Sequence, residues 1–190
     1  MSNKKQLWLL DGGNGAGKST FYQLFLKKYS IIFVNADLIA KEISPDNAEE
    51  ASYQAAHMGG FYRNKLLAEG ISFCFETVFS HRSKIDFVAK AKSLGYQIIL
   101  VYVHLENHTL NQARVLQRVS EGGHNVPADK IISRIPRTME NIRKVLPLVD
   151  QAYFLDNSSY SNPFRQVALF KQGTVAYLEP LPEWAKVILF

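Results

Sequence analysis

Apolar residues fall along this chain in short blocks separated by helical stretches, the alternation that builds a parallel sheet with helices on its faces. The first block, Leu7-Trp8-Leu9-Leu10, reads as a strand, and Phe21, Leu24 and Phe25 with the stem of Lys28 recur behind it at helical spacing. Residues 31–34, apolar and partly β-branched, read as a buried second strand ending at Asn35-Ala36-Asp37. A short helix over 38–43 follows, and Asp37 is suited to cap it. After the turn Ser44-Pro45-Asp46, the residues Ala48, Ala51, Ala55, Met58, Tyr62 and Leu66 trace a long helix that Gly70 stops. Gly59-Gly60 interrupts it at about 1 kcal/mol per glycine, so a break or the close approach of another group is expected there.

Residues 71–75 predict a third strand that closes on Glu76-Thr77. Ser83 and Asp86 resemble a capping box for a helix turning Ile85, Val88 and Ala89 inward. Residues 96–105 and 149–155 predict the fourth and fifth strands. Between them lie a helix carrying Arg114 and Arg118, a loop over 120–127 with paired glycines, and a second helix in which Pro136 marks a kink or boundary. On that second helix Arg134, Arg137, Asn141 and Lys144 share one side, while Met139, Ile142 and Val145 share the other. Asp156-Asn157-Ser158 sits at a strand end where a base could rest. Residues 164–170 and 174–178, around Lys171-Gln172-Gly173, predict a β-hairpin, and 180–190 a short helix with Trp184 as its packing anchor.

At 190 residues the chain is expected to form one domain over 1–190, with a lid at about 107–146 and a hairpin-and-helix appendage at about 160–190. No apolar run approaches the length of a membrane span, so no membrane partner is expected. The block at 7–10 is also too short for a signal-peptide core, which points to the cytoplasm. The only cysteine, Cys74, lies in an apolar run and reads as buried and inert, in keeping with a reducing compartment. Net charge is +5, and residues 111–146 hold seven basic against three acidic side chains. Aromatic residues are not interleaved with those arginines as a nucleic-acid platform requires, so the segment is read as handling a nucleotide's own phosphates rather than a nucleic acid.

The candidate chemistry begins where the first strand runs into Gly12-Gly13-Asn14-Gly15-Ala16-Gly17-Lys18-Ser19-Thr20. This is a P-loop: glycines let backbone N–H groups curl around phosphate oxygens at a helix N-terminus. Residues 13–20 (Gly13, Asn14, Gly15, Ala16, Gly17, Lys18, Ser19, Thr20) are the nucleotide-binding candidates. Lys18 would reach the β- and γ-phosphates of ATP, and Ser19 the Mg²⁺. Asp11 is unhelpful beside that cradle unless it points away, which alternation along the strand allows. Asp37 shares the rim as the second strand's terminal acid. Glu76 resembles a Walker B acid, which could hold Mg²⁺ through water, grip an acceptor hydroxyl or pair with a lid arginine. Two basic helices joined by a glycine loop describe a lid that brings arginines over a transferring phosphoryl group.

The ordered set Gly13 to Thr20, Asn35-Ala36-Asp37, Phe75-Glu76-Thr77, Gly122-Gly123-His124-Asn125-Val126-Pro127 and Arg134-x-x-Arg137 resembles the zeta-toxin-like P-loop kinases, in particular their short bacterial members. The resemblance implies an α/β P-loop NTPase fold of the kinase-like three-layer kind, with a central, mainly parallel five-stranded sheet and a helical lid. It implies transfer of the ATP γ-phosphoryl group to the hydroxyl of a small molecule. In the toxins of that family the acceptor is UDP-N-acetylglucosamine, and an antitoxin covers the ATP site. By matching position, Lys18, Asp37, Arg118 and Arg134 would be catalytic, with Asp37 as base. Asp37, Glu76, Thr77 and Arg137 would contact the acceptor, and Ser19 and Glu76 the metal. Three other readings stay open: an ABC-type ATPase, a nucleotide-gated interaction protein with little or no turnover, and a kinase of nucleic-acid ends.

Overall fold

The computed structural model describes residues 4–45, 47, 49–121, 123 and 125–190. Asp46, Ala48, Gly122 and His124, each used in the sequence reading, lie outside the described residues. Strands β1 (Gln6–Gly12), β2 (Ile32–Val34), β3 (Phe73–Thr77), β4 (Gln97–His104), β5 (Gln151–Asp156), β6 (Arg165–Lys171) and β7 (Thr174–Tyr177) form one seven-stranded sheet in the order β2-β3-β1-β4-β5-β6-β7. The first five are parallel, and β6 and β7 are antiparallel. The expected hairpin is therefore the sheet's own edge rather than a separate appendage, which raises the strand count from five to seven. Without β6 the apolar strand β5, with Ala152 and Phe154 buried, would be an open edge.

The helices are α1 (Lys18–Phe21), continued by a π-helical turn Tyr22–Leu26 and a 3₁₀ turn Lys27–Tyr29, then α2 (Ala36–Ile43), α3 (Ser52–Glu69), α4 (Ser83–Ser93), α5 (His108–Ser120), α6 (Ala128–Val145) and α7 (Glu183–Leu189). Alternation sorts the strand residues onto two faces. Leu7, Leu9, Phe73, Phe75, Leu100, Tyr102 and Phe154 pack with residues of α3, α4, α6 and α7. Leu10, Cys74, Val101, Val103 and Leu155 pack with Tyr22 and Leu26 behind the P-loop. Cys74 is buried, as its apolar run predicts, and burial pushes its thiol well above the ordinary range. Among the described residues no helix is long and apolar enough to cross a membrane.

Local differences from the sequence reading have physical causes. Strand β2 is an edge, so Ile32 is 45% exposed where a buried strand is predicted. Helix α3 runs through Gly59-Gly60 unbroken, and a Cβ on Gly59 would meet Ile39 of α2 at an ordinary 3.6 Å, so neither the expected break nor a close approach is found there. Tyr62 of α3 is exposed, and Leu67 is the residue that enters the core. On α4 Ala91 packs while Ala89 faces out; Ser83 N donates to His81 Nδ1 at 3.2 Å in place of the capping box with Asp86. Helix α6 continues through Pro136, and Asn141 is buried rather than on the basic side, donating to the Phe79 carbonyl at 2.8 Å.

Candidate functional site

Because the connection from β3 to β4 passes over β1, the sheet reverses direction at β1, and the carboxyl ends of β1, β2, β3 and β5 face one rim. The P-loop occupies the end of β1. Gly15 and Gly17 have φ of 76° and 99°, the left-handed region that suits glycine. A Cβ on Gly17 would lie 2.6 Å from Asn157 Nδ2, so a side chain there would displace the group that holds the loop. Asn157 Nδ2 donates to the Ala16 carbonyl at 2.8 Å, and Asn111 Nδ2 donates to the Asn14 carbonyl at 2.7 Å. Arg114 braces the same strut by donating to the Asn157 carbonyl at 3.0 Å. Two asparagines from distant segments thus fix two carbonyls of the loop, and Ala16 N closes the turn on the Gly13 carbonyl at 3.2 Å.

Lys18 is buried at 6% exposure, and its Nζ donates to the carbonyls of Gly12 at 2.9 Å and Gly13 at 3.0 Å. The same Nζ stands 3.9 Å from Glu76 Oε1. Glu76 Oε2 accepts from Ser19 Oγ at 2.8 Å and from Asn35 Nδ2 at 2.6 Å. Burial raises the Glu76 carboxyl above its ordinary value; Lys18 and the bonds from Ser19 and Asn35 pull it down, and Asp37 adds to the rise. Asn35 Oδ1 accepts from the backbone N–H groups of Asp37 at 2.7 Å and Leu38 at 3.2 Å, which makes Asn35 the cap of α2. The helix therefore begins at Ala36, and Asp37 stands inside its first turn with a half-exposed side chain.

The arginines expected of a lid divide. Arg118 Nη1 lies 3.5 Å from Asp37 Oδ2, and Arg134 Nη1 donates to Asn14 Oδ1 at 3.3 Å, so α5 and α6 each send one guanidinium to the rim. Arg137 turns back on its own helix, with Nε donating to the Ser133 carbonyl at 2.9 Å, and is not gathered with them. Thr77 Oγ1 accepts from Phe79 N at 3.1 Å, which shapes the chain leaving β3. Thr20 is exposed on α1. Asp11 is fully buried beside Tyr102 in the β1–β4 register, on the face of Leu7 and Leu9, so alternation does carry it into the core.

The residues missing from the sequence-derived site are chiefly asparagines. Asn35 carried a signal, since a residue two before a strand-end acid is a natural cap. Asn111 carried none: at 2% exposure it is a polar residue in an inward position of α5, which looks like surface until the partner carbonyl is known. Among the described residues no group of three or more His, Cys, Asp or Glu side chains gathers as a metal cage.

With this geometry in hand, the likenesses to known proteins are of two kinds. The family model described as zeta toxin matches residues 1–174. An uncharacterized protein of Haemophilus influenzae is 30% identical over 133 residues, 66% of this chain and 94% of that protein. Among solved structures, AvrRxo1-ORF1:AvrRxo1-ORF2 with ATP matches 99% of this chain at a TM-score of 0.75 and 17% identity. This chain spans 64% of that one. A structure of the PezAT chromosomal toxin–antitoxin system of Streptococcus pneumoniae matches 98% of this chain and 85% of its own at a TM-score of 0.66 and 18% identity. At such identities the two solved structures are likenesses of fold.

Proposed function

The chain belongs to the zeta toxin family, and from that premise we propose that it is a kinase moving the γ-phosphoryl group of ATP to a hydroxyl of a small molecule. UDP-N-acetylglucosamine, a nucleotide sugar, is the first acceptor to try. The observation that carries the reading is the carboxylate of Glu76, which receives Ser19 of the P-loop and Asn35 of the acceptor-side helix at 2.8 and 2.6 Å. One part-buried acid thus ties the nucleotide cradle to the segment that carries Asp37.

The glycine cradle and the hard oxygens of Ser19 and Glu76 fit ATP with Mg²⁺, a cation that takes few protein ligands and keeps phosphate and water oxygens. When bound, Mg²⁺ would neutralise charge on the phosphates. In the proposed reaction Lys18 leaves the carbonyls of Gly12 and Gly13 for phosphate oxygens. Asp37 orients the acceptor hydroxyl and takes its proton late, when the O–P bond has largely formed. Arg118 and Arg134 offset the charge on the equatorial oxygens, and the lid that bears them shuts out water. Such transfers depend on positioning and charge more than on covalent help. Thr77 and Arg137 are assigned to the outer acceptor contacts, and Arg137 would first have to release Ser133. An antitoxin is the proposed protein partner, on the precedent of the toxin–antitoxin system named for the pneumococcal relative.

The test is ADP release from Mg-ATP by the purified protein, with UDP-N-acetylglucosamine and a panel of sugars, nucleosides and nucleotides, beside Asp37→Ala. Release that requires one acceptor and disappears in the variant supports the kinase. Saturable ATP binding with no acceptor-stimulated release overturns it in favour of a nucleotide-gated interaction protein.

A further inference from the structure

Away from the P-loop, a cavity of about 320 Å³ opens between α3 and α4, lined by Arg63, Asn64, Ser83, Lys84, Asp86 and Lys90, with Phe87 at its wall. Two of its cations converge on one aromatic ring. The guanidinium of Arg63 lies 4.0 Å from the centre of the Phe75 ring, and Lys84 Nζ lies 5.3 Å from the same centre. Burial lowers Arg63 to about 10 and Lys84 to about 8, and Arg63 adds to the depression of Lys84. Among the described residues neither cation forms an ion pair. Arg63 Nε is buried with no hydrogen-bond partner.

An arginine stacked on a phenylalanine explains itself by the ring's quadrupole, worth roughly 0.5–2 kcal/mol. Lys84 gains the same kind of contact at longer range, but it is also desolvated and repelled by Arg63, and a group of opposite charge removes both of those penalties. Lys90 is not in the same position, since it is exposed and donates to Asn64 Oδ1 at 3.3 Å. Asp86 lines the same cavity and, among the described residues, forms no ion pair with either cation. The first amides of α4 are spent within the chain, Ser83 N on His81 Nδ1, Lys84 N on the His81 carbonyl and Ile85 N on the Arg82 carbonyl, so the two cations are the cavity's contacts for an anion.

We propose that this cavity binds an oxyanion group, phosphoryl or carboxylate, of a small molecule, with Arg63 and Lys84 as its two charged contacts. Phe75 packs on the sheet face that also receives Ile39, two residues after Asp37 on α2, so the bound group lies on the Asp37 side of the sheet and not on the face of the Glu76 side chain. Where the kinase reading holds, and only there, the natural owner of the group is the acceptor itself, which makes anionic acceptors the preferred class.

The site can be tested without turnover. Reductive methylation with ¹³C-formaldehyde gives each lysine an NMR signal that reports its titration, and Lys84→Gln identifies the signal of interest. In Lys18→Ala protein, used to remove anion binding at the P-loop, tens of millimolar inorganic phosphate should raise the Lys84 midpoint from about 8 by about one pH unit or more. Arg63→Gln should lose most of that response. A Lys84 midpoint that stays in place with phosphate overturns the site, and that titration is read on protein whose cavity is unchanged, Lys84→Gln serving only to assign the signal.

Acceptor kinetics then separate the two sources of the anion. A several-fold rise in KM for phosphorylated but not neutral acceptors in Arg63→Gln assigns the group to the acceptor. A phosphate response at Lys84 with no change in any acceptor KM assigns it to a separate ligand, and both results uphold the site. Absence of turnover with every acceptor would remove the kinase reading and leave the Lys84 titration to decide this one.

Discussion

Asp11→Asn probes a fully buried carboxyl at the end of β1. The Oδ1 of Asp11 accepts from Gly12 N and its Oδ2 has no partner. Burial pushes its carboxyl up to about 8, against the pull of Lys18 and of the Gly12 amide. Between the ordinary value of 3.8 and about 8 the folded protein holds a proton that the unfolded chain releases. Stability is then full below the lower value, falls as pH rises, and has lost this contribution above the higher one. Each pH unit is worth about 1.4 kcal/mol, so the whole window spans about 6 kcal/mol as an upper bound. With the softer effective dielectric of real interiors, about 3 kcal/mol is the expected span. Asparagine keeps the shape and the acceptor for Gly12 N but cannot ionise. Its new NH₂ adds an offset of about 1–3 kcal/mol that is the same at every pH. Urea unfolding, followed by the fluorescence of Trp8 and Trp184, should show the wild-type midpoint falling relative to Asp11→Asn from pH 5 to pH 9. Parallel profiles would refute the reasoning, because the pH-dependent difference between the two proteins isolates this one carboxyl from Glu76, Lys84 and His104.

Four further outcomes follow from the geometry. Gly17→Ala, with φ at 99° and a Cβ 2.6 Å from Asn157 Nδ2, should weaken ATP binding by about tenfold or more, since about 1–2 kcal/mol of backbone strain alone falls on the cradle; calorimetry that finds normal affinity would contradict this. Asn35→Ala should cost about 1 kcal/mol of stability as a lost cap and lower kcat with little change in the Kd for ATP; thermal melts and steady-state kinetics on one preparation check both halves. Asn141→Ala leaves the Phe79 carbonyl without its donor and should cost about 1–3 kcal/mol in urea unfolding, whereas a surface position on α6 would cost almost nothing. Arg134→Ala should lower kcat while ATP affinity holds, and unchanged turnover would remove Arg134 from the lid.

The sequence carried the sheet because buried parallel strands announce themselves as continuous apolar runs, and the P-loop because its glycines and Lys18 sit at fixed spacing. It was silent where the deciding contact is made by backbone carbonyls far along the chain. Neither Asn111 nor Asn157 differs in type from a surface asparagine, yet each holds a carbonyl of the P-loop. The inward turn of Asn141 was hidden for the same reason, since its partner is the carbonyl of Phe79 after β3. Helix periodicity treats every polar residue as outward. The edge position of β2 was likewise unreadable, because strand order depends on crossovers and not on the composition of the strand.

The bond from Asn157 to the carbonyl of Ala16 spans 141 positions. During synthesis the loop that would grip a nucleotide is made well ahead of both of its struts, Asn111 being the earlier and Asn157 the later. The nascent chain therefore carries the binding motif for a long interval before its cradle is fully held. Support arrives in two steps, the second when the segment after β5 closes on the P-loop.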